Sequence, residues 1–439
     1  MIKKNINLKL IVNLKIKLIL FSVLYQFCCV ADDFHYKDVI IGERASGLGG
    51  SYIAISDDPS GLWYNPAGII FSFENYFSLS ANAYNETSEV YKNVFKNGNY
   101  SYKSKGLIPN FFGFTQTFKD YKWGFAVIVP KSDLIDQDDE VGDISSIAGA
   151  AKSLQRKFFR QNNMTGIGFG GATKIKEGLT VGISLFGMFR DEKMIDNQLI
   201  EFNADGSSKE KFLILNTSLN RKTFSIYPKL GMQYMATKEL SLGITLSKIQ
   251  HLSGETKTRT YKNSTIADGS ASSGLPKDFQ YNLSADLVKG NQTVKSFELS
   301  PLEVALGAAY FPSKQLMLTA DLNYYSGDTE FKDFKTVDTF NLAMGTEYFL
   351  SDKKAIRLGL YTNNANTKQL SSDAANQPPH VDMFGVTASM TIFSAGSALS
   401  FGALYSNGKG KGQAVGDVTV QQDIERTSMT AYLTGSYQM

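Results

Sequence analysis

The chain has 439 residues, 45 basic and 42 acidic, for a formal net charge of +3. Five of those bases (Lys3, Lys4, Lys9, Lys15 and Lys17) and none of the acids lie in residues 1–31, so the rest of the chain carries 40 bases against 42 acids. That near-neutral balance lacks the basic field a nucleic-acid partner requires, and no later segment is apolar for the ~20 residues of a membrane-spanning helix.

In chain order, the five lysines are followed by a mostly apolar run at 18–30 and then Ala31, the layout of a secretory signal peptide cleaved after Ala31. The run is too short for a permanent anchor, and Phe27 before Cys28 argues against a lipid-bearing cysteine. Cys28 and Cys29 leave with the signal, so the exported chain has neither disulfides nor thiolate metal ligands.

Residues 42–69, GERASGLGGSYIAISDDPSGLWYNPAGI, come next. A phosphate-binding glycine loop would need a third glycine where Tyr52 stands, and Pro59, Gly61, Pro66 and Gly68 interrupt the helix such a loop must open. The composition instead fits a segment, residues 32–73, that turns repeatedly in a confined space.

From residue 74 onward the dominant signal is period two. Leu240, Leu242, Ile244 and Leu246 share one face against Ser241, Gly243, Thr245 and Ser247, and similar alternation runs through 179–185, 316–323 and 428–439. Tight turns at 119–121, 175–178, 237–239, 313–315, 352–354 and 394–397 alternate with connections read as long loops at 86–107, 131–161, 194–221, 254–298, 327–335, 364–379 and 408–423. Six hairpins plus a first strand at 74–85 and a last at 424–439 give fourteen strands with both ends on the short-turn side. Such short and long connections on opposite sides mark an all-β, antiparallel transmembrane β-barrel. Residues 278–297 also look strand-like; parity places them as a hairpin inside the longest outer loop.

The opening segment now has a counterpart. Gly47-Leu48-Gly49-Gly50, Asp57-Asp58 and Asn65-Pro66-Ala67, just ahead of strand one, resemble the hatch of the FadL family, outer-membrane transporters of long-chain fatty acids and toluene-like hydrocarbons. The resemblance implies a fourteen-stranded barrel in the cell outer membrane with the hatch in its lumen, capture of ligand by outer loops, and an apolar pocket leading to an opening near a kinked third strand. It also implies hydrophobic small molecules and outer-membrane lipid as partners, a monomer, no cofactor and no enzymatic activity. Strand three would be YKWGFAVIVP, 121–130, whose Gly124, Ala126 and Ile128 present an apolar inward face that Phe111 extends. These four either line a ligand pocket or pack on the hatch. In 144–160, Ile144, Ile147, Ala148, Ala151, Leu154 and Phe158 follow helical spacing, with Arg156, Lys157 and Arg160 at the end. The expectation is an outer-loop helix whose bases either meet a ligand carboxylate or remain solvated.

Chemistry-bearing clusters are sparse. His35, His251 and His380 are each more than a hundred residues apart, and the acidic run 136–140, DQDDE, lacks an EF-hand spacing, so no metal site is expected. Transport of hydrophobic compounds is the first reading. An adapter barrel for secreted or surface-attached proteins is the second, and an outer-membrane enzyme the third.

Overall fold

The computed structural model describes residues 34–95, 98–142, 151–202, 211–264, 280–289, 299–327, 335–374, 377–413 and 419–438; the expected signal peptide lies outside them. Helices α1 (Glu43–Gly47) and α2 (Gly61–Tyr64) and a 3-10 turn (Pro66–Phe71) precede the sheet. The strands are β1 (Asn75–Phe95), β2 (Gly98–Phe118), β3 (Tyr121–Gly142), β4 (Ala151–Lys176), β5 (Leu179–Phe202), β6 (Lys211–Met235), β7 (Leu240–Lys248) and β8 (Gln250–Ser264). They continue as β9 (Gln280–Lys289), β10 (Leu302–Tyr310), β11 (Leu316–Tyr325), β12 (Thr339–Ser351), β13 (Lys354–Asn363), β14 (His380–Ser394), β15 (Ser397–Gly412) and β16 (Gln422–Gln438).

Every pairing is antiparallel, and the β1–β16 and β5–β6 ladders close the sheet on itself. β7 and β8 both pair with β6 and are two halves of one barrel strand interrupted at Ile249, while β9 pairs with β8 alone, as a hairpin outside the ring. The ring is therefore fourteen-stranded. All six tight turns fall where the sequence places them.

The alternation is inverted relative to a soluble sheet. On β11, Leu318 and Leu322 face out while Thr319, Asp321 and Asn323 are buried inside; on β12, Phe340, Leu342 and Met344 face out. Phe118, Tyr121 and Trp123 stand exposed beside a short turn. An apolar exterior with aromatic residues near its edge is the arrangement for which lipid, rather than water, is the surrounding solvent.

The wall is uneven. β1 to β6 run for 21 to 26 residues, whereas β10 to β13 run for 9 to 13. A tilted strand crosses the hydrocarbon in ~10 residues, so β1 to β6 rise well beyond the bilayer on one side. This corrects several expected loops: 86–107 is mostly β1 and β2, 131–161 and 194–221 are largely strand, and β15 runs into the expected 408–423 loop as far as Gly412. The acidic run at 136–140 likewise belongs to β3 rather than to a loop. Above the bilayer both faces of a strand meet polar surroundings, so the apolar contrast fades while backbone pairing continues.

The hatch fills the lower lumen. Ile41, Ala45, Leu48, Tyr52, Leu62 and Ile69 are all buried, in two apolar clusters shared with wall residues such as Ala126, Ile128, Phe186 and Ala343. Four cross-strand glycine pairs in the wall admit it: Gly124–Gly170 around Leu62, Gly182–Gly231 around residues 65–67, Gly243–Gly307 around Ile53 and Ala54, and Gly345–Gly359 around Leu48 and Gly49. A Cβ at any of the eight would overlap the hatch or force it away from the wall.

Candidate functional site

The hatch motif makes specific attachments to the wall. Asn65 accepts from the Ala67 amide at 3.1 Å through Oδ1, capping the 3-10 turn that Pro66 opens, and its Nδ2 donates to the carbonyls of Ile53 (2.8 Å) and Met232 (3.1 Å). Gly49 and Gly50 hold φ of +67° and +81°, a region that favours glycine, and this reverses the chain after α1. Gly47 lies against Arg357 and Ser389, and its carbonyl accepts from Thr387 at 2.8 Å.

Charge fixes the hatch more firmly. Arg44 donates to Asp57 at 2.6 Å and to Glu347 of β12 at 3.1 Å; Glu347 also accepts from Arg357 at 2.6 Å, and Arg357 reaches Glu43 at 3.5 Å. Two guanidiniums and three carboxylates thus compensate one another inside the lumen, where a lone charge would be costly. Asp58 differs from its neighbour. It accepts from the Ser60 amide at 2.7 Å, yet burial outweighs this bond and raises its carboxyl to about 6.

The wall has a seam between β2 and β3. Their ladder runs only from Phe118–Tyr121 to Phe111–Ile128, although both strands continue outward and stay paired to β1 and β4. Pro109 and Pro130, which lack an N–H to donate, sit just past the last rung. The β3–β4 register slips between Ile128 and Lys131, and the β1–β2 register slips at Pro109 and again toward Gly106. Farther out side chains reach across the gap to backbone groups, with Ser104 accepting from the Leu134 amide at 3.1 Å and Gln137 donating to the Ser101 carbonyl at 2.8 Å.

Inside the seam lies a cavity of about 210 Å³. Pro130 and Lys131 line it from the seam, and residues 35–40, Trp63 and Tyr64 from the hatch. Met164, Met188, Arg190, Tyr227, Lys229, Glu303, Asn323 and Tyr325 contribute the opposite wall. Lys229 lies 5.5 Å from the Trp63 ring centre and 5.3 Å from that of Tyr227, a cation–π arrangement, and 3.5 Å from Glu303. Glu303 also accepts from Ser247 at 2.9 Å and from the Tyr227 hydroxyl. A smaller, more polar cavity of about 60 Å³ lies across residues 35–40, toward β1 and β14 to β16.

Several expected site residues sit elsewhere. Phe111, Gly124, Ala126 and Ile128 are buried in or beside the cluster that packs on Leu62 and Ile69, and none of them lines the open cavity. The expected outer-loop helix is corrected: residues 151–160 belong to β4, and 143–150, including Ile144, Ile147 and Ala148, lie outside the described residues. Arg156, Phe158 and Arg160 alternate inward along β4. Arg156 pairs with Asp196 at 2.8 Å, Arg160 donates to Glu192 at 3.0 Å, and Lys157 turns outward to Asp136 and Asp138. The three bases therefore form no common anion site. Their period-two order was present in the sequence, masked by an apolar spacing that also fits a helix. The three histidines are dispersed, with ring nitrogens near the carbonyls of Val381, Leu299 and Thr367, and the described residues contain no group of three metal-ligating side chains.

A closed barrel with an apolar exterior, an internal plug, an unzipped seam and a cavity behind it has the architecture of a plugged transmembrane β-barrel. No model of a known family and no curated protein matches the chain. Among solved structures it is similar to a Pseudomonas aeruginosa FadL homologue, at TM-score 0.60 and 12% identity over 92% of this chain and 99% of that one. It is also similar to the Ralstonia pickettii toluene transporter TbuX, at TM-score 0.59 and 12% identity over 91% and 98%. The monoaromatic hydrocarbon channel CymD aligns at TM-score 0.58 and 13% identity over 92% and 99%. The chain thus has the FadL-type fold, at a sequence distance where fold alone is shared.

Proposed function

We propose that the chain resides in an outer membrane and conducts small hydrophobic compounds through the cavity and out through the β2–β3 seam, while the hatch blocks a general leak. The observation that carries this reading is continuity: Pro130 and Lys131 lie at the break in pairing and also line the cavity. A lateral exit lets a greasy solute enter lipid without crossing water beneath the hatch. The toluene and monoaromatic channels among the structural neighbours support the same class of cargo. One chain closes the whole ring, so the route needs no second copy.

Uptake of labelled toluene and labelled hexadecanoate should be compared in cells with and without the chain. The expected result is faster entry of at least one compound, about tenfold, with no gain for a charged sugar phosphate of similar size. Equal entry across a broad panel of hydrophobic compounds, accompanied by loss of a surface protein in the deletion strain, would instead establish the adapter reading.

A further inference from the structure

The cavity lining carries four cations, Lys37, Lys131, Arg190 and Lys229, against two carboxylates, Asp38 and Glu303. Three of the cations are matched: Lys131 lies 3.5 Å from Asp38, Lys229 lies 3.5 Å from Glu303, and Arg190 lies 3.4 Å from Glu192 just above. Lys37 is not. Among the described residues its ammonium has no hydrogen-bond or ion-pair partner; at longer range Asp321 and Glu303 attract it and Lys229 repels it. Of those two acids, Asp321 gives one oxygen, Oδ2, to the Tyr52 and Ile53 amides at 2.6 and 2.9 Å while its Oδ1 bonds to nothing among the described residues, Lys37 included, and Glu303 is taken up by the groups described above. The backbone around Lys37 is fixed, because Asn363 accepts from its amide at 3.3 Å and donates to its carbonyl at 2.9 Å. A second donor faces the same problem: Asn323, 4% exposed and also lining the cavity, leaves Nδ2 without a partner among the described residues.

Size and surface narrow the ligand further. A cavity of ~150 Å³ is enough to hold one benzene, so about 210 Å³ accommodates one substituted ring rather than an extended sixteen-carbon chain. Five aromatic side chains, Tyr36, Trp63, Tyr64, Tyr227 and Tyr325, form much of its surface. We propose that this cavity selects single-ring aromatic carboxylates, with Lys37 of the hatch anchoring the carboxylate, Asn323 adding a donor, and the aromatic side chains enclosing the ring.

The proposal rests on the transport reading above and specifies its cargo. Burial pulls the Lys37 ammonium below its ordinary range, the cost of desolvating a cation without a partner, and a bound carboxylate removes that cost through a charge-assisted bond. A neutral hydrocarbon leaves the charge uncompensated, so the same lysine that favours the acid disfavours toluene.

Trp63 provides the readout. In the full-length barrel carrying Trp123→Phe, Trp63 is the remaining tryptophan, and its emission can be titrated with benzoate, toluene, hexadecanoate and acetate. Benzoate is expected to bind about tenfold more tightly than the other three. Lys37→Met should weaken benzoate about tenfold and tighten toluene, and Lys37→Arg should restore benzoate. Asn323→Leu, which leaves the hatch untouched, should weaken benzoate several-fold.

Toluene or hexadecanoate binding as tightly as benzoate, or benzoate unchanged in Lys37→Met, overturns the inference and leaves the transport reading standing. An equal response to acetate overturns the aromatic half. If Lys37→Met disturbs the hatch, so that toluene is lost too, the wild-type ranking and Asn323→Leu still decide the matter. Absence of binding by all the compounds, together with no uptake in cells, removes the transport reading itself.

Discussion

At the scale of single residues, the hatch holds two adjacent aspartates in different chemical situations. Asp57 faces the Arg44 guanidinium at 2.6 Å, whereas Asp58 is buried with neutral donors such as Ser60 in place of a cation, and its carboxyl is raised from 3.8 to about 6. The folded state therefore binds more protons than the unfolded one between pH ~4 and pH ~6, and stability falls as the pH rises through that window. The penalty is complete above about pH 6 and amounts to about 3 kcal/mol at most. Hatch docking, read as protease resistance of residues 34–72, should be firmer at pH 5 than at pH 8, and Asp58→Asn should remove that difference. A wild-type hatch equally resistant at both values would show that Asp58 is ionised without penalty. The sequence showed the Asp pair and its place in the hatch motif. It did not show which carboxylate would meet a cation, because Arg44, thirteen residues away, is brought there by the fold of the plug.

At the scale of elements, turns were the most legible feature and strand ends the least. Each short turn is encoded locally by two or three residues, such as Gly178 and Gly396 with φ of +76° and +72°, so all six could be placed from the sequence. The outward halves of β1 to β6 carry polar side chains on both faces, and period two is then visible only in residues such as Arg156, Phe158 and Arg160. The β2–β3 seam was partly legible, because Pro130 and a run of small inward residues mark strand three. The matching role of Pro109 appears only once the two strands are set side by side. Across the gap beyond the last rung, the Tyr100 hydroxyl donates to Asp139 at 2.9 Å. With Tyr100→Cys and Asp139→Cys, a short reducible bis-thiol reagent can staple the two strands without competition, since no other cysteine follows residue 31. If the seam is the exit, the staple should cut uptake about tenfold and reduction should restore it. Uptake indifferent to the staple would move the exit elsewhere.

At the scale of the whole molecule, the cavity was the part the sequence hid. Its lining comes from the hatch, from β3 to β6, β8, β10 and β11, and from Ile249, Leu299 and Pro301 between strands, so residues as distant as Lys37 and Tyr325 meet only when the ring closes. The hatch was readable because one contiguous stretch encodes it, yet its seating depends on glycines spread over eight strands. The four cross-strand pairs on β3 and β4, β5 and β6, β7 and β10, and β12 and β13 hold successive parts of the same segment around more than half of the ring. Such distributed seating makes the segment a plug rather than a tethered flap, and its removal has a distinct consequence. The ring is closed by strand ladders that do not involve residues 32–70, so a chain lacking them should still insert and show heat-modifiable migration. Its lumen would then be bounded mainly by buried polar wall residues such as Gln233, Thr319 and Ser400, and planar bilayers should record a continuous conductance where the intact chain stays nearly closed. Gly231→Ala, whose new Cβ would collide with Asn65, should give an intermediate leak by unseating one socket of the four. A deletion that inserts normally and conducts no more than the intact chain would mean that the upper wall, not the hatch, is the seal.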